Sequence, residues 1–140
     1  MFREVIDSGR ALDKFREMIR SQGGNASVVE DYSALPQARF ESKVLSPDKG
    51  YLQSMDTEKI GLAIGVLGAG RETIDSQIDH AVGVRFHKKI GDALEKDEAL
   101  CTVHYNDEAR HAEARRRLLE SYGFSPAPVA RPELIKKVIS

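Results

Sequence analysis

The glycine-rich run Gly65-Val66-Leu67-Gly68-Ala69-Gly70 is the densest candidate for ligand chemistry, since glycine turns let backbone N–H groups approach a phosphate closely. Its setting argues against that use. A dinucleotide loop follows a strand and opens a helix, whereas here Asp56-Thr57-Glu58 caps a helix that runs into the glycines. Neither the G-x-G-x-x-G order nor G-x-x-x-x-G-K-[ST] is present, so a tight helix-ending turn is expected, with Arg71 and Glu72 beyond it free to pair across an interface. The histidines His80, His87, His104 and His111 form no H-E-x-x-H pair and no acidic cluster at metal-ligand spacing. His87 and His104 fall on expected strands that bring them near each other, but a third ligand is not evident. No G-x-S-x-G occurs, and Cys101, inside an expected strand, reads as a small buried hydrophobe rather than a nucleophile. Asp75 and Asp79 lie four apart and read as solvated carboxylates, and Arg115-Arg116-Arg117 with Lys136-Lys137 as a solvated basic face. These patterns assign no catalytic, cofactor-binding or metal-binding residue.

The elements that would have to position any such chemistry belong to a chain of 140 residues, 41% hydrophobic and 31% charged, the size of one ordinary domain. Lys plus Arg is 21 against 22 Asp plus Glu, which removes the broad basic field of a non-specific nucleic-acid binder. The longest apolar stretch, Ile60 to Ala69, is too short and too glycine-rich to cross a bilayer, and the N-terminus has no signal-peptide layout. A cytoplasmic protein with neither nucleic-acid nor membrane partners is therefore expected. One cysteine excludes an internal disulfide framework.

Phe2, Val5, Ile6, Leu12, Phe15, Met18 and Ile19 recur at helical spacing, predicting a core-facing helix with an interruption at Ser8-Gly9 and a stop at Gln22-Gly23-Gly24-Asn25. No capping residue precedes this stripe, an abrupt start expected where Met1 cuts into a longer protein. After a connector around Pro36, the alternation over Arg39 to Leu45 predicts a strand, and Ser46-Pro47-Asp48-Lys49-Gly50 a turn into a second. The helix after Asp56 carries small residues at Gly61, Ala63 and Gly65, expected where another element packs closely. Strands are expected over Ala81 to His87 and Ala99 to Tyr105, joined by a turn-rich segment. Asn106 or Asp107 caps a last helix with a stripe of Ala109, Ala112, Leu119 and Tyr122, ended by Gly123; Pro126, Pro128 and Pro132 make the rest extended.

Gly50-Tyr51-Leu52, Ile60-Gly61-Leu62-Ala63, Leu67-Gly68-Ala69-Gly70-Arg71 and Ile78-Asp79-His80-Ala81-Val82-Gly83, in this order, resemble the C-terminal region of pyrimidine-nucleoside and thymidine phosphorylases. Lys88-Lys89-Ile90-Gly91-Asp92-Ala93-Leu94-Glu95-Lys96, leading into the strand around Cys101, extends the resemblance. So does the opening, Ser8-Gly9-Arg10-Ala11-Leu12-Asp13-Lys14-Phe15 with Gln22-Gly23-Gly24-Asn25. The matches span roughly residues 8 to 107. The resemblance implies an α+β fold with hammerhead, barrel-sandwich-like antiparallel strands and flanking helices. Residues 1–25 would be the terminal helix of the parent's α/β domain, 26–37 a connector, 38–123 the C-terminal domain and 124–140 a Pro-rich tail.

The same resemblance implies a homodimeric parent that splits pyrimidine nucleosides with inorganic phosphate into free base and pentose 1-phosphate, with the rest of the subunit as this chain's partner and no cofactor here. The family's phosphate-binding Lys-His-Ser-Thr-Gly-Gly-Val-Gly-Asp and its base-binding Arg and Ser-x-x-x-Lys segment have no counterpart in the chain, so no catalytic residue is carried over and the chain alone is expected to be inactive. Within the matched region Asp97 stands where the family commonly has glycine, and Ala99 where it has proline. The alternative is a free-standing biotinyl- or lipoyl-like interaction module. Such carriers expose a lysine at a tight turn after the following strand, where this chain has Tyr105-Asn106-Asp107-Glu108.

Overall fold

In the computed structural model, which describes residues 2–71, 74–135 and 137, the chain divides into two units, residues 1–37 and 38–140. In the first, the apolar stripe folds as two helices, α1 (Phe2–Asp7) and α2 (Arg10–Ser21). Gly9 separates them in the left-handed region at φ 77°, a conformation that glycine takes without the Cβ penalty. Gly23, at the same φ, ends α2, and the Gly24 N–H donates to Ile19 O at 2.9 Å. Asn25 and Asp31 then cap single 3-10 turns at Ala26–Val29 and Tyr32–Ala34 by accepting from the Ser27 and Ser33 N–H groups. No described residue of this unit is buried, so the stripe expected to face a core lies open in this chain.

The second unit is α+β. Its strands are β1 (Phe40–Leu45), β2 (Gly50–Met55), β3 (Gly83–Phe86), β4 (Ala93–Leu94), β5 (Ala99–Tyr105) and β6 (Tyr122–Ser125). They form two three-stranded antiparallel sheets, ordered β1-β5-β3 and β4-β2-β6. The turn after Leu45 therefore joins strands of different sheets instead of closing a hairpin. Buried Ser46 shapes it, donating to Asp48 O at 2.8 Å while its N–H reaches Glu98 O. Helix α3 (Thr57–Ile64) is capped by Asp56, which accepts from the Lys59 N–H. It widens into a π-turn at Gly65–Ala69, with Gly68 at φ 104°. Ala63 on α3 is fully buried, while Gly61 and Gly65 face open space, so the small-residue packing expected there is confined to Ala63.

Helix α4 (Glu108–Glu120) starts on the Asp107 cap, whose carboxylate accepts from the Arg110 N–H. The face it buries is Ala114 and Leu118, with His111 partly covered; Ala109 and Ala112 are exposed. Alanine is a weak marker of a buried face because it tolerates either environment, and the stripe expected from it is displaced. Ser121 closes the helix and β6 follows directly, so the chain re-enters the sheet at Tyr122 and the boundary expected at residue 123 falls inside a strand. The core between the sheets and α4 holds Val44, Leu52, Leu94, Leu100, Val103 and Leu118, none more than 2% exposed. Burial of each such side chain stabilises by about 1.5–3 kcal/mol.

Candidate functional site

β1, β5 and α4 bring together a serine, a histidine and a carboxylate, of which the sequence singled out only the histidine, His111, and grouped it with neither of the others. The inward alternation of β1 places Ser42, whose Oγ lies 2.5 Å from His111 Nε2. The imidazole stacks on Tyr105, with ring centroids 3.9 Å apart and planes at 10°. Tyr105 Oη donates to Glu108 Oε1 at 3.1 Å, and Glu108 Oε2 stands 3.7 Å from His111 Nδ1. Burial pushes the Tyr105 hydroxyl up, and its bond to Glu108 pushes the same way. Residue types alone suggest a nucleophile relay. The geometry does not, because 3.7 Å exceeds hydrogen-bond reach and Glu108 is already committed to Tyr105. The cluster acts as a clasp between α4 and its sheet.

Asp79, expected to be solvated, is half-buried and structural. It accepts from Asn106 Nδ2 at 2.7 Å and from the Ala81 N–H at 3.0 Å, and these bonds, the Asn106 one foremost, hold its carboxyl below the usual range. Asn106 Oδ1 in turn accepts from the Arg39 N–H at 2.7 Å. The Asp79 N–H donates to Gly68 O at 2.9 Å, so the glycine run is a turn pinned by a carboxylate-bearing loop. Gly68 also lies close to α4: a Cβ added there would sit 3.3 Å from Arg110 Nη1. Asp75 is exposed and outside any helix.

His87 and His104 are not brought together. His87 bonds Thr102 Oγ1 at 2.8 Å, near one end of the β3/β5 ladder, while His104 lies opposite Gly83 at the other. Cys101 is fully buried and burial pushes its thiol up, the state of an inert hydrophobe. Arg116 and Arg117 are bound to Glu113 on α4, and Arg116 also to Glu120; Lys136 of the expected basic face, and Glu72, expected with Arg71 at an interface, lie outside the described residues. A surface cleft of about 410 Å³ lies between Met55, Ile90 and Pro132, its wall tied by Arg131 to Asp92 at 2.7 Å. Among the described residues no group of three His, Cys, Asp or Glu side chains could hold a metal, and no helix is long and apolar enough to cross a membrane. At the carrier-lysine position Asn106 and Asp107 serve the Asp79 network and the α4 cap.

Comparison with known proteins places this architecture. Residues 51–125 match the family described as "Pyrimidine nucleoside phosphorylase C-terminal domain". The chain is 39% identical over 140 residues, its whole length, to 32% of the "Pyrimidine-nucleoside phosphorylase" of Geobacillus stearothermophilus. It is 43% identical over 105 residues, 75% of the chain, to 24% of the protein of that name from Bacillus subtilis (strain 168). With that of Staphylococcus aureus (strain bovine RF122 / ET3-1) it shares 39% identity over 137 residues, 98% of the chain and 31% of the relative. The chain thus spans about a third or less of the length of the curated relatives it matches.

Proposed function

Because the chain belongs to the pyrimidine nucleoside phosphorylase family, through the C-terminal domain of those proteins, we propose that it serves as the C-terminal part of a phosphorylase subunit and supports catalysis without supplying a reacting group. One observation carries this reading: all 140 residues align with a relative of which they cover only 32%. The phosphate-binding segment that the resemblance leads one to look for is missing from residues 1–140, and the polar clusters around His111 and Asp79 are occupied with one another.

In the assembled subunit, an oxygen of inorganic phosphate attacks the anomeric carbon of a pyrimidine nucleoside, and the base leaves with the electron pair of the glycosidic bond. Phosphate is the nucleophile, so the protein's task is positioning and stabilisation of developing charge. Residues 38–123 act in this scheme as a packed lobe that influences closure over the substrates and exclusion of water. Residues 1–25 are the last helical part of the preceding α/β domain, 26–37 the connector and 124–140 the tail. The full subunit works as a cytoplasmic homodimer, with inorganic phosphate as co-substrate and no cofactor in this part.

The test is direct. The pure 140-residue chain, given uridine or thymidine and inorganic phosphate, releases no base above the protein-free blank, and phosphate-dependent release would overturn the proposal. Deleting the region corresponding to residues 38–140 from the Geobacillus stearothermophilus relative abolishes folding or turnover; an unimpaired enzyme would also sink it.

A further inference from the structure

The cleft of about 410 Å³ at the end of β2 has the size of a small-molecule site, and no part of the proposed function uses it. Its floor is half-buried Met55 and Ile90, and its rim is Pro132 and Leu134, the latter fully exposed. The tail that forms this rim is seated on the second unit. A Cβ on Gly91, at φ 88°, would stand 2.6 Å from Arg131 Cγ and 3.0 Å from Val129 O. Asp92 fastens the same turn, accepting from Arg131 Nη2 at 2.7 Å and from the Lys89 N–H at 2.8 Å. The charges along the cleft do not balance. Lys89 and Arg131 line it against a single carboxylate, Asp92, so one positive charge is left over. Among the described residues no acid pairs with the Lys89 ammonium. The described lining is otherwise aliphatic, with no aromatic ring on which a base would stack.

We propose that this cleft binds a small aliphatic carboxylate, its head group at Lys89 and the remaining N–H groups of Arg131, its alkyl chain laid along Met55 and Ile90 beside Leu134. The surplus positive charge selects an anion, and the aliphatic lining selects a chain over a ring. Binding takes the apolar surface of Leu134 out of water and gives Lys89 the partner that the described residues do not supply. Nothing in this site depends on the phosphorylase reading.

The probe is decanoate, titrated below its micelle-forming concentration into the isotope-labelled 140-residue chain and followed by amide and methyl NMR. Saturable binding is expected, with the largest shifts at Lys89, Ile90, Leu134 and the Met55 methyl. Decyltrimethylammonium, of equal chain and opposite charge, should bind roughly ten-fold more weakly or not at all. Lys89→Glu is expected to weaken decanoate by about three- to ten-fold, and Leu134→Ser by about three-fold or more. Both side chains are exposed, so the melting temperature of each variant should stay at the wild-type value. The absence of saturable shifts, equal binding of decyltrimethylammonium, or undiminished affinity in both variants would overturn the proposal. So would shifts larger on the open apolar face of α1 and α2 than in the cleft. Uridine titrated in parallel should leave the cleft unmoved, and saturable shifts there would assign the cleft to the nucleoside instead. The same titration on a folded chimera, in which the chain follows the preceding part of the Geobacillus stearothermophilus relative, should retain binding. Its loss would make the cleft a surface that the rest of the subunit covers, and would overturn the proposal as well.

Discussion

Asp97 is where a single residue says most about this protein. Its φ of 61° makes it the only non-glycine among the described residues in the left-handed region, and its N–H donates to Ser46 O at 3.0 Å to close the turn before β5. The sequence already marked the position, because the resembling family commonly has glycine there. Aspartate tolerates this conformation better than most residues yet still bears the Cβ penalty. Asp97→Gly is expected to stabilise the chain by about 0.5–1 kcal/mol, read as a higher urea midpoint at unchanged m-value; an unchanged or lower midpoint would show that the Asp97 side chain offsets its own strain. The Ser42–His111 contact was not foreseeable in this way. It joins residues 69 apart in sequence, and neither lies in a recognisable motif.

Two elements carry consequences that a pairing diagram alone would miss. β2 is central in its sheet, and a Cβ on Gly50 would stand 2.5 Å from Ser125 O on β6. Gly50→Ala must push the two backbones apart, and is expected to cost about 1–3 kcal/mol, seen as a lowered melting temperature; a stability equal to wild type would mean that β6 is not held in this register. On α4, hydrogen bonds from Arg116 and then Arg117 hold the Glu113 carboxyl down at about 2. A carboxyl depressed in the folded state contributes stability that is present above its ordinary value of 4.5 and lost as pH falls through about 2. The melting-temperature difference between wild type and Glu113→Gln should therefore be largest at neutral pH, shrink between pH 4.5 and 2, and weaken in high salt. The effect is small because the ion pairs are solvent-exposed. A difference independent of pH would show that the charge of Glu113 contributes nothing.

For the whole molecule, the proposal is that this chain is a working third of a larger machine. A chimera in which this chain follows the preceding part of the Geobacillus stearothermophilus relative should then show phosphate-dependent release of uracil or thymine that neither Ser42→Ala nor Cys101→Ser abolishes, since the proposal gives neither residue a role at the substrate. Loss of all turnover in a folded Ser42→Ala chimera would return the Ser42–His111 cluster to consideration as a reacting centre.

Both N-terminal helix segments with their glycine break and four of the six strands were legible in short-range patterns of apolar period, caps and glycines, and the family, with the α+β class it implies, in ordered local motifs. Long-range pairing and packing settled the rest: β1 and β2 enter different sheets, β6 follows α4 without a loop, Ala114 and Leu118 rather than Ala109 and Ala112 face the core, and Asp79 is a structural anchor. Each of these depends on which distant segment supplies a hydrogen-bond partner or covers a surface. A strand of four residues beginning at Tyr122 has too little alternation to announce itself until β2 offers its edge.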